Sequence, residues 1–349
     1  MRNPMMLAAV LPVAAALAAA GTSHAQVTLD GIADPAYGKE VIVQNTQTNF
    51  GDSNLGVVDF ANGSELNGAY ARIEGDFLYL LLSGNLESNF NKLEVFIDAV
   101  PGGQNQLRGD NLDVDFNGLN RMGDDNSTPK VVEGLRFDEG FEADLWVSLT
   151  CGSPGGVGFA VFMNYATLPT EGNGVGGFLG SGGAGFAGAT VFESGFGFGL
   201  DNSNTAGVFG GGDIGSGAGV LTGVELQIPL AAIPGYEGGD LKISAFINGG
   251  GHDFVSNQVL GPIGGGANLG EPRLVNFADI PGDQFFVVPN GGGTKCPADL
   301  NGDNQVNGSD LTALLGAWGA ANGSNADLNG DGQVNGSDLT ALLGAWGSC

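Results

Sequence analysis

Basic residues are scarce in this chain: 11 Lys+Arg stand against 38 Asp+Glu among 349 residues, a formal net charge of −27. Nucleic acid and anionic membrane surfaces both select for a basic face, so neither is an expected partner. Histidine is rarer still, limited to His24 and His252. That rules out the two-histidine H-E-x-x-H zinc signature in the mature chain and leaves a histidine-dependent triad only Gly249–Asp253 (GGGHD) to use. No G-x-S-x-G elbow is present. Long apolar runs are missing after residue 20, so no membrane span is expected in the mature protein. Tryptophan is confined to Trp146, Trp318 and Trp346, and cysteine to Cys151, Cys296 and Cys349. What is abundant is glycine, at 65 residues, alongside 42% hydrophobic residues and 21 Phe. Glycine costs about 1 kcal/mol per helical position, so a mainly β protein with long loops is expected.

Met1–Ala25 carries Arg2, an apolar stretch from Met5 to Ala20, and small residues at Ser23 and Ala25. This is the pattern of a secretory signal cleaved after Ala25, and it predicts a secreted or cell-surface protein with His252 as its one remaining histidine. Export makes disulfides available, and Cys296 and Cys349 lie at the two ends of a C-terminal repeat, where a clasp would close it. Cys151 is then left over as a buried small hydrophobe.

The repeat is the strongest internal signal. Asp299–Gly319 and Asp327–Gly347 differ at one position in 21, Asn304 against Gly332. Each copy fits the first six positions of the calcium-loop template, D-x-[DN]-x-[DN]-G, with an acidic residue at position twelve. Positions one, three, five, seven, nine and twelve are Asp299, Asn301, Asp303, Gln305 (through its carbonyl), Asn307 and Asp310. In the second copy they are Asp327, Asn329, Asp331, Gln333, Asn335 and Asp338. Alternating short oxygen side chains on a tight turn suit Ca²⁺, a hard cation taking six to eight oxygens, so two Ca²⁺ sites are expected. All six acidic residues after Cys296 occupy loop positions one, five or twelve. Val306 and Val334 stand at position eight, suited to holding the loops together. Leu311, Leu314, Leu315 and Trp318, and their counterparts Leu339, Leu342, Leu343 and Trp346, place an apolar stripe on a short helix after each loop.

Two loops, each followed by a single helix, resemble the dockerin type I repeat. That resemblance covers about 50 residues and implies docking onto a cohesin-like or cell-surface protein, commonly in the service of polysaccharide breakdown. The positions implied to read the partner are Gly308 with Ser309 and Gly336 with Ser337. Later in the helix, where many dockerins carry Lys or Arg, this chain has Leu315, Gly316 and Leu343, Gly344.

Residues 290–295 (NGGGTK) read as a linker, which sets the boundaries at 1–25, 26–289, 290–295 and 296–349. Within 26–289, residues 70–73, 76–82, 92–98, 144–149, 224–230 and 241–247 read as strands, short runs of aliphatic and aromatic residues bounded by Gly, Asn or Asp. The expected fold is a jelly-roll-like β-sandwich with Gly-rich loops, followed by a small α-helical module. Leu29–Gly38 (LDGIADPAYG), DFLYLLL, EVFIDA and VELQIPLAAI resemble family-nine-type carbohydrate-binding modules, which implies sugar binding through stacked aromatics. Trp146 reads as core, and Tyr37, Tyr70, Tyr165 and Tyr236 are the candidates for a platform. Asp113, Asp115, Asn117, Gly118 and Asp124 also match calcium-loop positions, but alternating Leu112, Val114 and Phe116 favour a solvated strand running into a loop. Between Gly152 and Gly219, 23 of 68 residues are Gly, which reads as an edge loop or Gly-rich hairpins. Glu74, Glu94, Glu133, Glu139, Glu142 and Glu225 read as members of solvated faces or loops.

Three functions fit. The leading one is a non-catalytic secreted protein that binds glycan or another extracellular ligand and is anchored by its repeat. The others are an O-glycosyl hydrolase with an unrecognised carboxylate pair and a structural cell-surface protein.

Overall fold

The computed structural model describes residues 27–50, 63–152, 160–183, 187–208, 217–261, 263–290, 298–301, 305–319, 324, 326–329 and 332–348. The expected signal segment, Cys296, Cys349 and most of the expected linker fall outside them.

The strands are β1 (Ile42–Val43), β2 (Glu65–Glu74), β3 (Phe77–Asn85), β4 (Asn89–Asp98), β5 (Leu145–Gly152), β6 (Ala160–Thr167), β7 (Gly176–Gly182), β8 (Ala187–Val191), β9 (Gly197–Asp201), β10 (Gly223–Pro229), β11 (Leu241–Asn248), β12 (Val255–Val259) and β13 (Phe286–Val288). They form two antiparallel sheets. One runs β1-β2-β3-β10-β9-β8; the other runs β12-β11-β4-β5-β6-β7, with β13 pairing the start of β11. The two sheets pack over one apolar core. Leu78, Leu80, Leu82, Leu226 and Ile228 from the first meet Leu93, Val95, Ile97, Val147, Leu149 and Ile243 from the second. Mainly β architecture in two packed sheets is therefore the fold, and all six strands expected from the sequence are present.

Period-two alternation has a further consequence, because the outer faces are covered as well. Beyond β4, β5 and β11, segments 105–143 and 255–286 fold back as a lid. Its Phe137, Phe141 and Phe277 pack with Phe96, Trp146 and Phe246 of the sheet in a second core. Phe96 and Phe137 have ring centroids 4.9 Å apart. Over the first sheet, residues 27–37 cover Tyr70 and Leu81. Glu94, Glu225 and Glu65 are consequently at most 1% exposed, which corrects the reading of Glu94 and Glu225 as parts of solvated faces.

The Gly-rich stretch is not simply a loop. It supplies the edge strands β7 and β8, one on each sheet, which carry the chain from one sheet to the other. Glycine permits the close approach: a Cβ on Gly182 would stand 2.0 Å from Thr190 Oγ1 and 2.8 Å from the Phe198 ring.

The expected strand at 112–116 does not form. Asp115 and Asn117 have φ of 74° and 62°, a left-handed conformation that breaks an extended run, and a short 3-10 turn follows at Leu119–Met122. Tyr37 and Tyr70 are buried against each other, centroids 6.3 Å apart, and Tyr165 packs on Phe196 at 5.1 Å. The tyrosines therefore do not share an exposed platform. Trp146 is fully buried, as its mid-strand position predicted.

Among the described residues of the repeat there are two helices, α1 (Gly308–Gly316) and α2 (Gly336–Gly344), and a short ladder of β14 (Gln305–Val306) with β15 (Gly347–Ser348). No helix is long and apolar enough to cross a membrane, among the described residues.

Candidate functional site

Each repeat copy is built around its position-twelve carboxylate. Asp310 Oδ1 accepts from the backbone N–H of Leu300 (2.8 Å) and Asn301 (3.2 Å), while Oδ2 accepts from that of Asn307 (2.8 Å). Asn307 returns the bond as N-cap, its Oδ1 accepting from Ser309 N at 2.8 Å, so the capping box of α1 and the closure of the loop are one structure. Asp338 does the same with Leu328 (2.8 Å), Asn329 (3.2 Å) and Asn335 (2.8 Å). Accepting those amides, first that of Asn335, holds the Asp338 carboxyl below its ordinary range. Asp327 Oδ2 accepts from Gly332 N at 2.8 Å, tying loop position one to position six, where Gly332 has φ of 88°.

The two copies close on each other reciprocally. Val306 of the first loop pairs with Gly347 after α2, and Gly319 N, after α1, donates to Val334 O of the second loop at 2.9 Å. Val306 and Val334 are 1% exposed and pack with Leu314 and Leu342. Only part of each expected helix stripe is used in this core. Leu315, Trp318, Leu343 and Trp346 face outward at 52, 48, 52 and 50% exposure. Gly308, Ser309, Gly336 and Ser337 sit in the first turns of the helices, also exposed. Asp303 and Asp331 fall outside the described residues, as does the expected Cys296–Cys349 disulfide. In the second loop Asn335 Nδ2 donates to Gln333 O at 3.3 Å. Asp299, Asn301, Gln305, Asn307 and Asp310 of the first loop, and Asp327, Asn329, Gln333, Asn335 and Asp338 of the second, bring carboxylate, amide and backbone carbonyl oxygens to the two loops. That is the donor chemistry calcium takes.

A second polar cluster, which the sequence did not disclose, lies between β4 and the lid. Outward-facing Lys92 and Glu94 of β4, Trp146 and Ser148 of β5 and Asn248 of β11 meet His252 and Asp115 from two loops. His252 Nδ1 lies 2.6 Å from Glu94 Oε1, and its Nε2 lies 3.4 Å from Asp115 Oδ2. Lys92 Nζ is 2.7 Å from the same Asp115 oxygen. Trp146 Nε1 donates to Glu94 Oε2 (2.8 Å), and Asn248 Nδ2 to Oε1 (3.1 Å). Burial alone would disfavour the imidazolium, but Glu94 and Asp115 outweigh it and push His252 up to about 9. Burial likewise opposes ionisation of Asp115, and His252 with Lys92 overcomes it, holding the carboxyl far below its usual range. Asp115 is thus committed inward, which leaves the calcium-loop reading of 113–124 without its third-position ligand. Among the described residues no group of three or more His, Cys, Asp and Glu side chains is arranged to hold a metal. The only sequence hints of this cluster were the polar members of EVFID and the lone histidine, and neither reveals the lid.

Glu225 anchors the opening segment. Its carboxylate accepts from Tyr37 Oη (2.6 Å), Asp30 N (2.8 Å) and Gly31 N (2.9 Å). Cys151 is buried at 0% exposure and its thiol is pushed up by burial, in keeping with an inert small hydrophobe.

The class defined by these features is a two-sheet β protein carrying a duplicated loop–helix unit. The family model of the dockerin type I domain matches residues 297–343, so this segment is a dockerin type I domain, and domains of that family serve as calcium-dependent docking modules. Dockerin domains bind cohesins, and the proteins that carry them are generally extracellular or attached to the cell surface. The match leaves residues 1–296 uncovered and does not extend to the resemblance with family-nine-type carbohydrate-binding modules. Searches of curated proteins and of solved structures found no match to the chain.

Proposed function

We propose that the protein is exported after loss of residues 1–25 and works as a non-catalytic binding protein. Its β-sandwich, residues 26–289, takes an extracellular glycan, and residues 296–349, joined through the linker at 290–295, dock it to a cohesin-like or cell-surface partner. The observation that carries this reading is the reciprocal closure of two near-identical loops that leaves Leu315/Trp318 and Leu343/Trp346 facing outward. Exposed apolar pairs on both helices of a small unit fit a partner surface better than a solvated one.

Each loop would hold one Ca²⁺ through the oxygens of positions one, three, five, seven, nine and twelve named above. Bound calcium supplies charge neutralisation and a rigid centre for the loop. Asp310 and Asp338 then fix loop to helix, and the helices present the partner-reading pairs Gly308/Ser309 and Gly336/Ser337. The helix faces carry no Lys or Arg. A cohesin-like partner would accordingly meet them through apolar and hydroxyl contacts more than through ion pairs.

A non-catalytic role is supported by the burial of the His252–Glu94 pair: a general acid or base must reach its substrate, and His252 and Glu94 have no exposed surface. One observation favours the hydrolase reading instead. Burial raises the Asp144 carboxyl to about 6 beside Asp98 and Glu142, which border a cavity of about 570 Å³. Glycan arrays run together with hydrolysis assays on the same polysaccharides discriminate the readings. Retention without products supports the proposal, release of reducing ends replaces it with the hydrolase, and silence in both leaves a structural protein. Titration calorimetry of the mature chain with Ca²⁺ should give two sites, and Asp310→Ala should remove one; absence of heat in the unmodified chain would overturn the calcium reading.

A further inference from the structure

Four phenylalanines among the described residues are more than a third exposed: Phe90, Phe116, Phe178 and Phe254, at 41, 69, 61 and 40%. None belongs to the first sheet. Phe90 and Phe178 lie on β4 and β7, and Phe116 and Phe254 belong to the two loops that bring Asp115 and His252 to the outer side of β4. Exposed apolar rings gathered on one side of a sandwich mark a surface that meets a ligand.

The register fixes what lies beneath the rings. Trp146, Ser148, Thr150 and Gly152 alternate onto the outer side of β5, opposite Ala166, Asn164, Phe162 and Ala160 of β6. Asn164 in turn stands opposite Phe178 of β7, and the Phe162 and Phe178 rings are 6.5 Å apart. The ladder between β4 and β5 slips between Asn89 and Lys92, and in that slip Phe90 takes a φ of 69°, rare for a bulky side chain. Its ring lies over Gly152, where a Cβ would collide with it. A strained backbone and a missing side chain together hold an apolar ring at the surface.

Between the rings the floor is polar and uncharged. Thr150 and Asn164 are 3 and 2% exposed; Thr150 Oγ1 has no hydrogen-bond partner, and the Asn164 side chain makes no hydrogen bond among the described residues. Burying such groups unpaired is costly, so a partner from outside the chain is worth more here than on an open surface. Strands β5, β6 and β7 contain no charged residue, and Lys92, opposite Thr150 on β4, is closed onto Asp115 at 2.7 Å. A neutral strip on a chain of formal net charge −27 excludes polyanions and offers no site to a cation. A sugar ring matches it: apolar C–H faces for the phenylalanines, and hydroxyls that both donate and accept for an amide and a hydroxyl.

We propose that the outer face of β5, β6 and β7 binds an uncharged glycan chain. Its sugar rings lie on Phe90, Phe162 and Phe178, and its hydroxyls supply the partners that Asn164 and Thr150 lack. The proposal rests on the glycan-binding reading above and names the ligand class and the face.

The test measures binding of the mature chain, with Ca²⁺ present, to neutral mannan, xylan and β-glucan and to polygalacturonate. The variants are Phe178→Ala, Phe178→Tyr, Asn164→Ala and, as a control on the lid, Leu274→Ala, whose side chain is 75% exposed. Affinity for at least one neutral glycan should fall tenfold or more in Phe178→Ala and Asn164→Ala, hold in Phe178→Tyr and Leu274→Ala, and be insensitive to salt. Melting temperatures of Phe178→Ala and Asn164→Ala should stay within a degree or two of the unmodified chain, since one ring is already exposed and the amide gives up no internal bond. Unchanged neutral-glycan affinity in both variants, or retention by polygalacturonate alone, overturns the face assignment and leaves glycan binding standing. Retention by no glycan overturns both. Self-association of the chain that disappears in Phe178→Ala would make this face a contact between copies and overturns it as a glycan site.

Discussion

His252 shows what a single residue can contribute when two carboxylates enclose it. Its folded value of about 9 lies above the ordinary 6.5, so the protonated ring favours the folded state. The sign follows: the contribution is complete below pH 6.5, declines as pH rises toward 9, and is gone above that. At about 1.36 kcal/mol for each tenfold gain in proton affinity, the whole effect is on the order of 3 kcal/mol. Denaturant midpoints measured from pH 6 to 9.5 should fall for the native chain, and the fall should be largely lost in His252→Gln; parallel slopes in the two proteins would remove His252 from the account. Tyr37 offers a second test at this scale. Tyr37→Phe strips one donor from buried Glu225, whose carboxyl is already raised by that burial, and should cost about 1–3 kcal/mol in urea unfolding. Neither role was legible in the sequence. Alternation correctly sends Glu94 and Glu225 to the faces opposite the inter-sheet core, but it cannot say that a lid and the opening segment cover those faces.

At the scale of elements, legibility followed side-chain chemistry. β2, β3, β4, β5, β10 and β11 are aliphatic and aromatic enough to show their period. The helices α1 and α2 show theirs too, because cap, acidic N3 residue and apolar spacing repeat twice. Strands β7, β8 and β9 were hidden, since glycine leaves no hydrophobic period to read. In them glycine serves packing: where β7 closes against β8 and β9, Gly182 leaves no room for a side chain. Gly182→Val should therefore destabilise the sandwich by about 1–3 kcal/mol, read as a lowered thermal midpoint with unchanged calcium binding. A normal midpoint would show that the sheet edges can part at little cost. In the repeat, Asn335→Ala removes the acceptor for Ser337 N and should weaken α2 by about 1 kcal/mol. Helical circular dichroism against temperature, at limiting Ca²⁺, measures that loss.

For the whole molecule, the two parts draw stability from different sources. The sandwich has two continuous apolar cores on either face of its second sheet. The repeat has a small one, Ala298, Val306, Leu314, Ala326, Val334 and Leu342, too slight to hold six aspartates in close loops unaided. Under the calcium reading proposed above, binding energy from the ion would offset that repulsion, because an ion that binds only the folded form stabilises it in proportion to the logarithm of its concentration. Unfolding of the mature chain should then occur in two transitions. Chelation should abolish the first with its helical signal, while the second, from the sandwich, stays within a degree or two. Adding Ca²⁺ back should restore the first transition and raise its midpoint with concentration. A single transition that moves as a unit with calcium would mean instead that the repeat and the sandwich are thermodynamically coupled, and the anchoring module could not be exchanged or removed without cost to the β-sandwich it serves.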